Sequence, residues 1–263
     1  MSSSNSPTPI TNMRKFFTLW NRELSSYFQS AIAYVVLFFF LLATGWNFQW
    51  VVTLINSAPT DVSIVQGFFN NFFFWFPFVL IFPLITMRTF AEEFKMGTIE
   101  TLMTSPVTDM QVVLSKFAGA FFFYVILWIP SLLYFVIFQA VTHTGAAVSP
   151  GSIWGSYGMI ILLGMFYISV GCFASVLTNN QIIAAVISGV SVALFFFMGV
   201  ISLFALDMNQ NLRDLLSYFS AIDHMNTFSK GIIDTRPIIF YLSMTLLFLA
   251  LTYHVFQRRK WKS

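Results

Sequence analysis

The sequence predicts an all-α integral membrane protein with six transmembrane helices, and three observations predict it. Of 263 residues, 57% are hydrophobic and only 9% charged, against about 25% charged in a typical soluble domain. Thirty-four are Phe, too many for one soluble core of this length, so lipid is the solvent for most of the chain. The apolar residues gather in six runs, and a bilayer core needs roughly 20 such residues per helix.

Taken in order, residues 1–12 (MSSSNSPTPITN) are polar, uncharged and rich in Pro and Ser, and are expected to be a disordered tail. They lack the basic start and following apolar stretch of a signal peptide, so the first span is expected to stay in the mature protein. Residues 13–29 place Phe16, Phe17, Trp20, Leu24, Tyr27 and Phe28 along one helical face, with Arg14, Lys15, Arg22 and Glu23 elsewhere. That pattern predicts an amphipathic helix on the inner membrane surface. Spans follow near 31–54, 70–87, 117–141, 153–177, 182–205 and 237–256, all within a single transmembrane domain over 13–256. The second is short and carries Pro77 and Pro83, which predict a kink. The fourth and fifth are joined only by TNNQ and form an antiparallel hairpin.

Residues 206–236 make an amphipathic segment on the outer side. Within it a helix over 211–230 has Leu212, Leu215, Leu216, Phe219 and Ile222 as its stripe and Gly231 as its stop. It either lies free at the interface or folds back among the span ends. Residues 257–263 form a basic tail. With both termini cytoplasmic, ten Lys and Arg residues fall inside and three (Arg213, Lys230, Arg236) outside, which sets the orientation.

The absences narrow the function. From 117 to 206, ninety residues pass without one Asp, Glu, Lys or Arg, whereas ion-coupled carriers hold ionisable groups within the membrane. No Gly-rich loop ends in Gly-Lys-Ser/Thr, so the chain holds no nucleotide in the P-loop manner. His143, His224 and His254 are too scattered to predict a metal site. Cys172 is the single cysteine, which excludes an intramolecular disulfide. The net charge of +3 comes mostly from the QRRKWK tail and predicts no nucleic-acid partner. SGVSVA at 188–193 reads as helix packing rather than a serine nucleophile. Gly155, Gly158, Gly164, Gly171 and Ser175 in the fourth span, and Ala185, Gly189 and Ala193 in the fifth, likewise predict close helix packing. Asn47 and Gln49 either lie at the outer interface or line an outer vestibule; the flanking Trp46 and Trp50 favour the interface. Neither an enzyme nor a self-powered carrier is indicated.

One internal stretch concentrates charge. Arg88, Glu92, Glu93, Lys95 and Glu100 fall within thirteen positions of the inner loop at 88–116. The segment is helix-competent to Met96, breaks at Gly97, and a second short helix can start at Thr98 with Pro106 beyond its end. A solvated loop has no need of Phe94, Met96, Ile99, Leu102 and Met103 among its charges; a docking knob does.

The run TMRTFAEEFKMGTIETLMTSPVTDMQVVLSKFAGA resembles the inner loop of ABC-2 type transporter permeases, where acidic residues, a Gly-Thr-x-Glu-x-Leu pattern and a Pro mark the coupling helix. GCFASVLTNNQIIAAV (171–186) and GIIDTRPIIFYLS (231–243) resemble the gliding-motility-associated branch, GldF, with NosY-type permeases as similar relatives. The likeness runs from Met13 over nearly the whole chain. It implies the ABC-2 exporter-type fold and a permease subunit with no cofactor of its own, ATP and Mg being held by a partner ABC ATPase. It implies a second permease copy or related permease, contact with membrane lipid, and a place in the cell inner membrane, and leaves room for an accessory membrane protein with an extracytoplasmic domain. The ATPase contacts implied are Glu92, Glu93 and Glu100 with Lys95 and Gly97, and Thr98, Ile99, Leu102 and Met103 on the apolar side. Residues 13–29 become the connecting helix. The competing readings are a membrane scaffold that recruits soluble partners without transport, and a channel or carrier that works alone.

Overall fold

A computed structural model describes residues 9–57, 62–99, 107–142, 149–204 and 216–260. Ten helices account for nearly all of them: α1 (Pro9–Phe28), α2 (Ala31–Ser57), α3 (Ile64–Asn70), α4 (Phe72–Thr86), α5 (Ala91–Met96), α6 (Asp109–Thr142), α7 (Pro150–Val176), α8 (Gln181–Phe204), α9 (Ala221–Ser229) and α10 (Thr235–Lys260). Six of these regions are long and apolar enough to span a membrane, as expected.

Helix α7 is the axis of the bundle, with 78% of its apolar window buried, against 22–56% for the other five. It packs on α4, α6, α8, α9 and α10. Its small residues explain how: a Cβ at Gly164 would strike the Tyr124 ring of α6, at Gly171 the Thr86 side chain of α4, and at Gly155 the Phe228 carbonyl of α9. Gly158 meets nothing within 4 Å and makes no such contact. In α8 the buried face is Ala184, Ser188 and Val192, one position before the expected Ala185, Gly189 and Ala193. Both sets have four-residue spacing, so spacing alone does not say which of two adjacent stripes faces inward. Ser188 Oγ lies 3.4 Å from Thr86 Oγ1 in helix-to-helix contact.

The boundaries depart from expectation where caps decide them. α1 is already helical at Pro9, the first described residue, so residues 9–12 of the expected disordered tail belong to it. α6 starts at Asp109 rather than near 117. Thr108 Oγ1 accepts from the Gln111 N–H at 3.3 Å, while Gln111 Oε1 accepts from the Thr108 N–H at 3.1 Å. This reciprocal capping box is written as TDMQ in the sequence. At 34 residues, α6 is about 51 Å long and overshoots a 30 Å hydrocarbon core. α10 likewise runs to Lys260, so most of the expected basic tail is its last turn.

The span expected at 70–87 is α4, and the short helix α3 precedes it; Asn71 separates the two, its Oδ1 accepting from Phe73 N–H at 3.2 Å. Pro77 and Pro83 both lie inside α4. Of the expected outer helix over 211–230, residues 216–230 are described and are not one helix: Ser220 interrupts it after 216–219 and caps α9, its Oγ accepting from the Asp223 N–H at 3.2 Å; Leu212 and Leu215 lie outside the described residues. α9 folds back onto α3, α7 and α8 and ends at Gly231 in the left-handed region (φ +80°) as anticipated.

Candidate functional site

The turn between α4 and α5 carries no side-chain cap of its own. Instead Ser175 of α7 supplies one: its Oγ accepts from the Phe90 and Ala91 N–H groups at 3.0 and 3.1 Å and donates to the Met87 carbonyl at 3.2 Å. Two amides that a helix start leaves unpaired are thereby satisfied from a different helix. Phe90 is fully buried against Phe256 of α10, ring centroids 5.8 Å apart. Phe94 is held by Phe256 at 6.4 Å and by the Arg259 guanidinium stacked 3.9 Å over its ring. Arg259 also donates to the Val176 carbonyl at 2.7 Å and to Asn179, tying the ends of α7 and α10 beneath α5. α5 then stops at Gly97, whose φ of +69° admits only a residue without Cβ at little strain.

The charges form two sets. Arg88 grips Glu92 with two parallel bonds of 2.7 and 2.9 Å and donates to Ser30 Oγ at 2.5 Å. The fork fixes the exit of α4 to the turn between α1 and α2. The second set joins three helices. Lys116 Nζ of α6, only 3% exposed, lies 2.8 Å from Glu93 of α5 and 3.2 Å from Glu23 of α1. Arg22 reaches Glu23 at 3.0 Å and Glu93 at 3.3 Å. Helix α1 comes this close because α6 offers Gly119, where an added Cβ would lie 2.9 Å from Glu23 Cβ.

Glu92 and Glu93, expected to face a partner, thus have partners within the chain. Lys95, Met96 (67% exposed), Gly97 and Thr98 project outward at the tip, whereas Ile99 is 5% exposed and packs into the core. Glu100, Leu102 and Met103 lie outside the described residues. On α1, Trp20 meets Phe122 edge-on at 4.9 Å and Tyr27 stacks on Phe123 at 5.0 Å while donating to the Ile85 carbonyl. Leu24 packs on the core and Phe28 abuts Phe123 at 5.7 Å, but Phe17, packed on Phe16 and Trp20, stays half exposed. Asn47 faces into the bundle: it is 1% exposed and donates to the Phe68 carbonyl at 3.0 Å, while Gln49, Trp46 and Trp50 are exposed.

Sequence reasoning missed Lys116, Ser175 and Arg259. Of these, Lys116 had a signal, being the last charge before ninety residues without one; a lysine at that edge needs a carboxylate partner. Beside the knob, α1, α2, α4, α5 and α6 line an open cavity of about 970 Å³. Among the described residues no three His, Cys, Asp or Glu side chains gather as a metal site would require.

A search of curated proteins found no match. The family model described as an ABC-2 family transporter protein matches residues 32–261, which include all six apolar spans and the knob. Permeases of that family generally work with an ABC ATPase carried on a separate subunit. Six apolar helices about a glycine-notched axis, a capped knob at one end and a family match over most of its length show that the chain belongs to the ABC-2 family of transporters, as a membrane permease subunit.

Proposed function

We propose that this permease converts ATP hydrolysis by a separate ABC ATPase into export or mechanical work at the membrane, and that the tip of α5 is the contact. The observation that carries this is an asymmetry. The rear of α5 is held by α1, α6, α7 and α10 through Ser175, Lys116 and Arg259, while Lys95, Met96, Gly97 and Thr98 are left facing outward. A push on such a tip passes into the bundle instead of being absorbed locally. Glu100, Leu102 and Met103 continue the contact in this reading, with Glu92 and Glu93 holding the knob in place. Two permease copies stand over two ATPase subunits. The excess of basic residues at the α1 end supports cytoplasmic termini in the cell inner membrane. The stretches at 171–186 and 231–243 support the gliding-motility branch, with an accessory membrane protein on the opposite side.

The test is co-purification in mild detergent. Met96→Asp and Thr98→Arg should preserve expression and insertion, because both residues are exposed, yet lose the ATPase subunit or its transport-linked hydrolysis. Lys230→Glu, at the opposite end, should retain both. Tip variants that still bind and couple as the parent does refute the contact. ATPase binding that ignores nucleotide identifies a scaffold instead.

A further inference from the structure

The cavity of about 970 Å³ has walls of two kinds. One is apolar and belongs to membrane spans: Ile32 and Val36 from the first two turns of α2, and Leu84 from the last turn of α4. The other is ionic, with five cationic side chains against three carboxylates, drawn from α1, α5, the α4 exit and the foot of α6. The carboxylates Glu23, Glu92 and Glu93 are engaged by Lys116, Arg22 and Arg88, so the lining keeps an excess of positive charge, with Arg14 at the exposed rim. Ile32 and Leu84 are both about one-third exposed, which leaves the apolar wall open beside the bundle.

That combination matches an amphiphile. An interfacial helix such as α1 sits at headgroup depth, and the adjoining turns of α2 and α4 begin the hydrocarbon layer. A soluble protein segment could meet the ionic wall but has no means of lying along Ile32, Val36 and Leu84 within acyl chains. We propose that this cavity binds an anionic phospholipid from the leaflet on the α1 side, its phosphate at the cationic rim and its upper acyl chains along α2 and α4. Met96 and Thr98 of the knob tip also line the cavity, so the lipid seat borders the proposed ATPase contact. A lipid seated there touches α1, α2, α4 and α5 together, and so biases how firmly the knob is held.

Native mass spectrometry of the full-length chain tests this, with phosphatidylglycerol, phosphatidylcholine and glycerol phosphate offered separately. Phosphatidylglycerol should be retained several-fold over phosphatidylcholine. Arg14→Gln should reduce that retention about fivefold, the worth of one basic side chain beside anionic lipid, and leave phosphatidylcholine unchanged. Ile32→Trp, at the mouth, should reduce both lipids, and Lys230→Gln neither. Equal retention of the two lipids, or full retention by both cavity variants, overturns the proposal. Displacement of the lipid by millimolar glycerol phosphate would make this a free-phosphate site, and displacement by a bound ATPase subunit would make it a protein-docking groove; either result also overturns it.

Discussion

Replacing Lys116 with Met tests whether the knob is clamped by charge. In the native protein the ammonium is 3% exposed and lies 2.8 and 3.2 Å from two carboxylates whose side chains are 17% and 13% exposed. Removing one partner of a buried pair costs about 3–5 kcal/mol, because the remaining charge is left without compensation. Here Arg22 stays within 3.0–3.3 Å of both carboxylates but is itself 54% exposed, so the lower end, about 3 kcal/mol, is expected. At 1.4 kcal/mol per factor of ten, that raises the open population of the α1–α5 contact roughly hundredfold. Hydrogen–deuterium exchange in nanodiscs reads this out as faster exchange over 91–96 and along α1, with α7 unchanged. The triple variant Glu23→Gln/Lys116→Met/Glu93→Gln removes all three charges at nearly constant volume and should return to within about tenfold of the parent, since an uncharged replacement of a buried network is often near neutral. Parent-like protection in Lys116→Met would show that the network holds nothing. A triple variant as loose as the single would show that packing, not charge balance, sets the contact.

Two further outcomes follow from single contacts. Ser175→Ala removes the acceptor shared by the Phe90 and Ala91 N–H groups, and loss of a helix cap costs typically about 1 kcal/mol; those two amides should exchange several-fold faster while the rest of α7 does not, and unchanged exchange would deny the cap. Burial holds His224, which pairs with the Tyr241 hydroxyl at 3.1 Å, below its ordinary value of 6.5, against the opposing pull of Asp223 and Asp234. Below about 6.5 the unfolded imidazole is protonated while the folded one stays neutral, so stability is complete above that pH and declines as pH falls toward the folded pKa. Melting in detergent between pH 7.5 and 5 should show the decline, and His224→Gln should flatten it; equal slopes in the two proteins would exclude His224 as the source.

The parts readable in advance were those with a strong one-dimensional signal. Six apolar runs became six long helices because the bilayer tolerates no other backbone state at that length. Gly97 and Gly231 ended helices because both take positive φ. What escaped were pairings between distant positions. Ser175 was read as a packing residue, since nothing local in GCFASV states that its hydroxyl meets a turn more than eighty positions earlier. Glu92 and Glu93 were read as outward charges, although Arg88 four residues before Glu92 is a helix-spaced ion pair visible in the sequence. The Thr108–Gln111 capping box that starts α6 is also written in the sequence, inside the segment expected to be a loop. Asn47 was placed by its tryptophan neighbours, but a helix sends adjacent side chains about 100° apart, so Trp46 faces outward and Asn47 inward.

These pairings bear on how motion would travel through the molecule. A loop joined to its bundle only by chain connectivity relaxes when pushed, because a few backbone dihedrals take up the displacement. The α5 knob has no such freedom at its base: its first two amides end on α7, its aromatic side on α10, and its acidic side on α1 and α6. Displacing the tip therefore requires either that these helices move together or that one tie breaks. The ties differ in kind. The Ser175 cap and the Phe90–Phe256 contact are short-range and buried, so the link to α7 and α10 is stiff. The Lys116 network is ionic and partly wetted through Arg22, and the Arg88–Glu92 fork is about one-third exposed, so the link to α1 and α2 is softer and answers to charge. A displacement at the tip should accordingly be carried first by α7, the axis against which α4, α6, α8 and α10 pack, with α1 able to follow or lag according to what occupies the cavity beneath it.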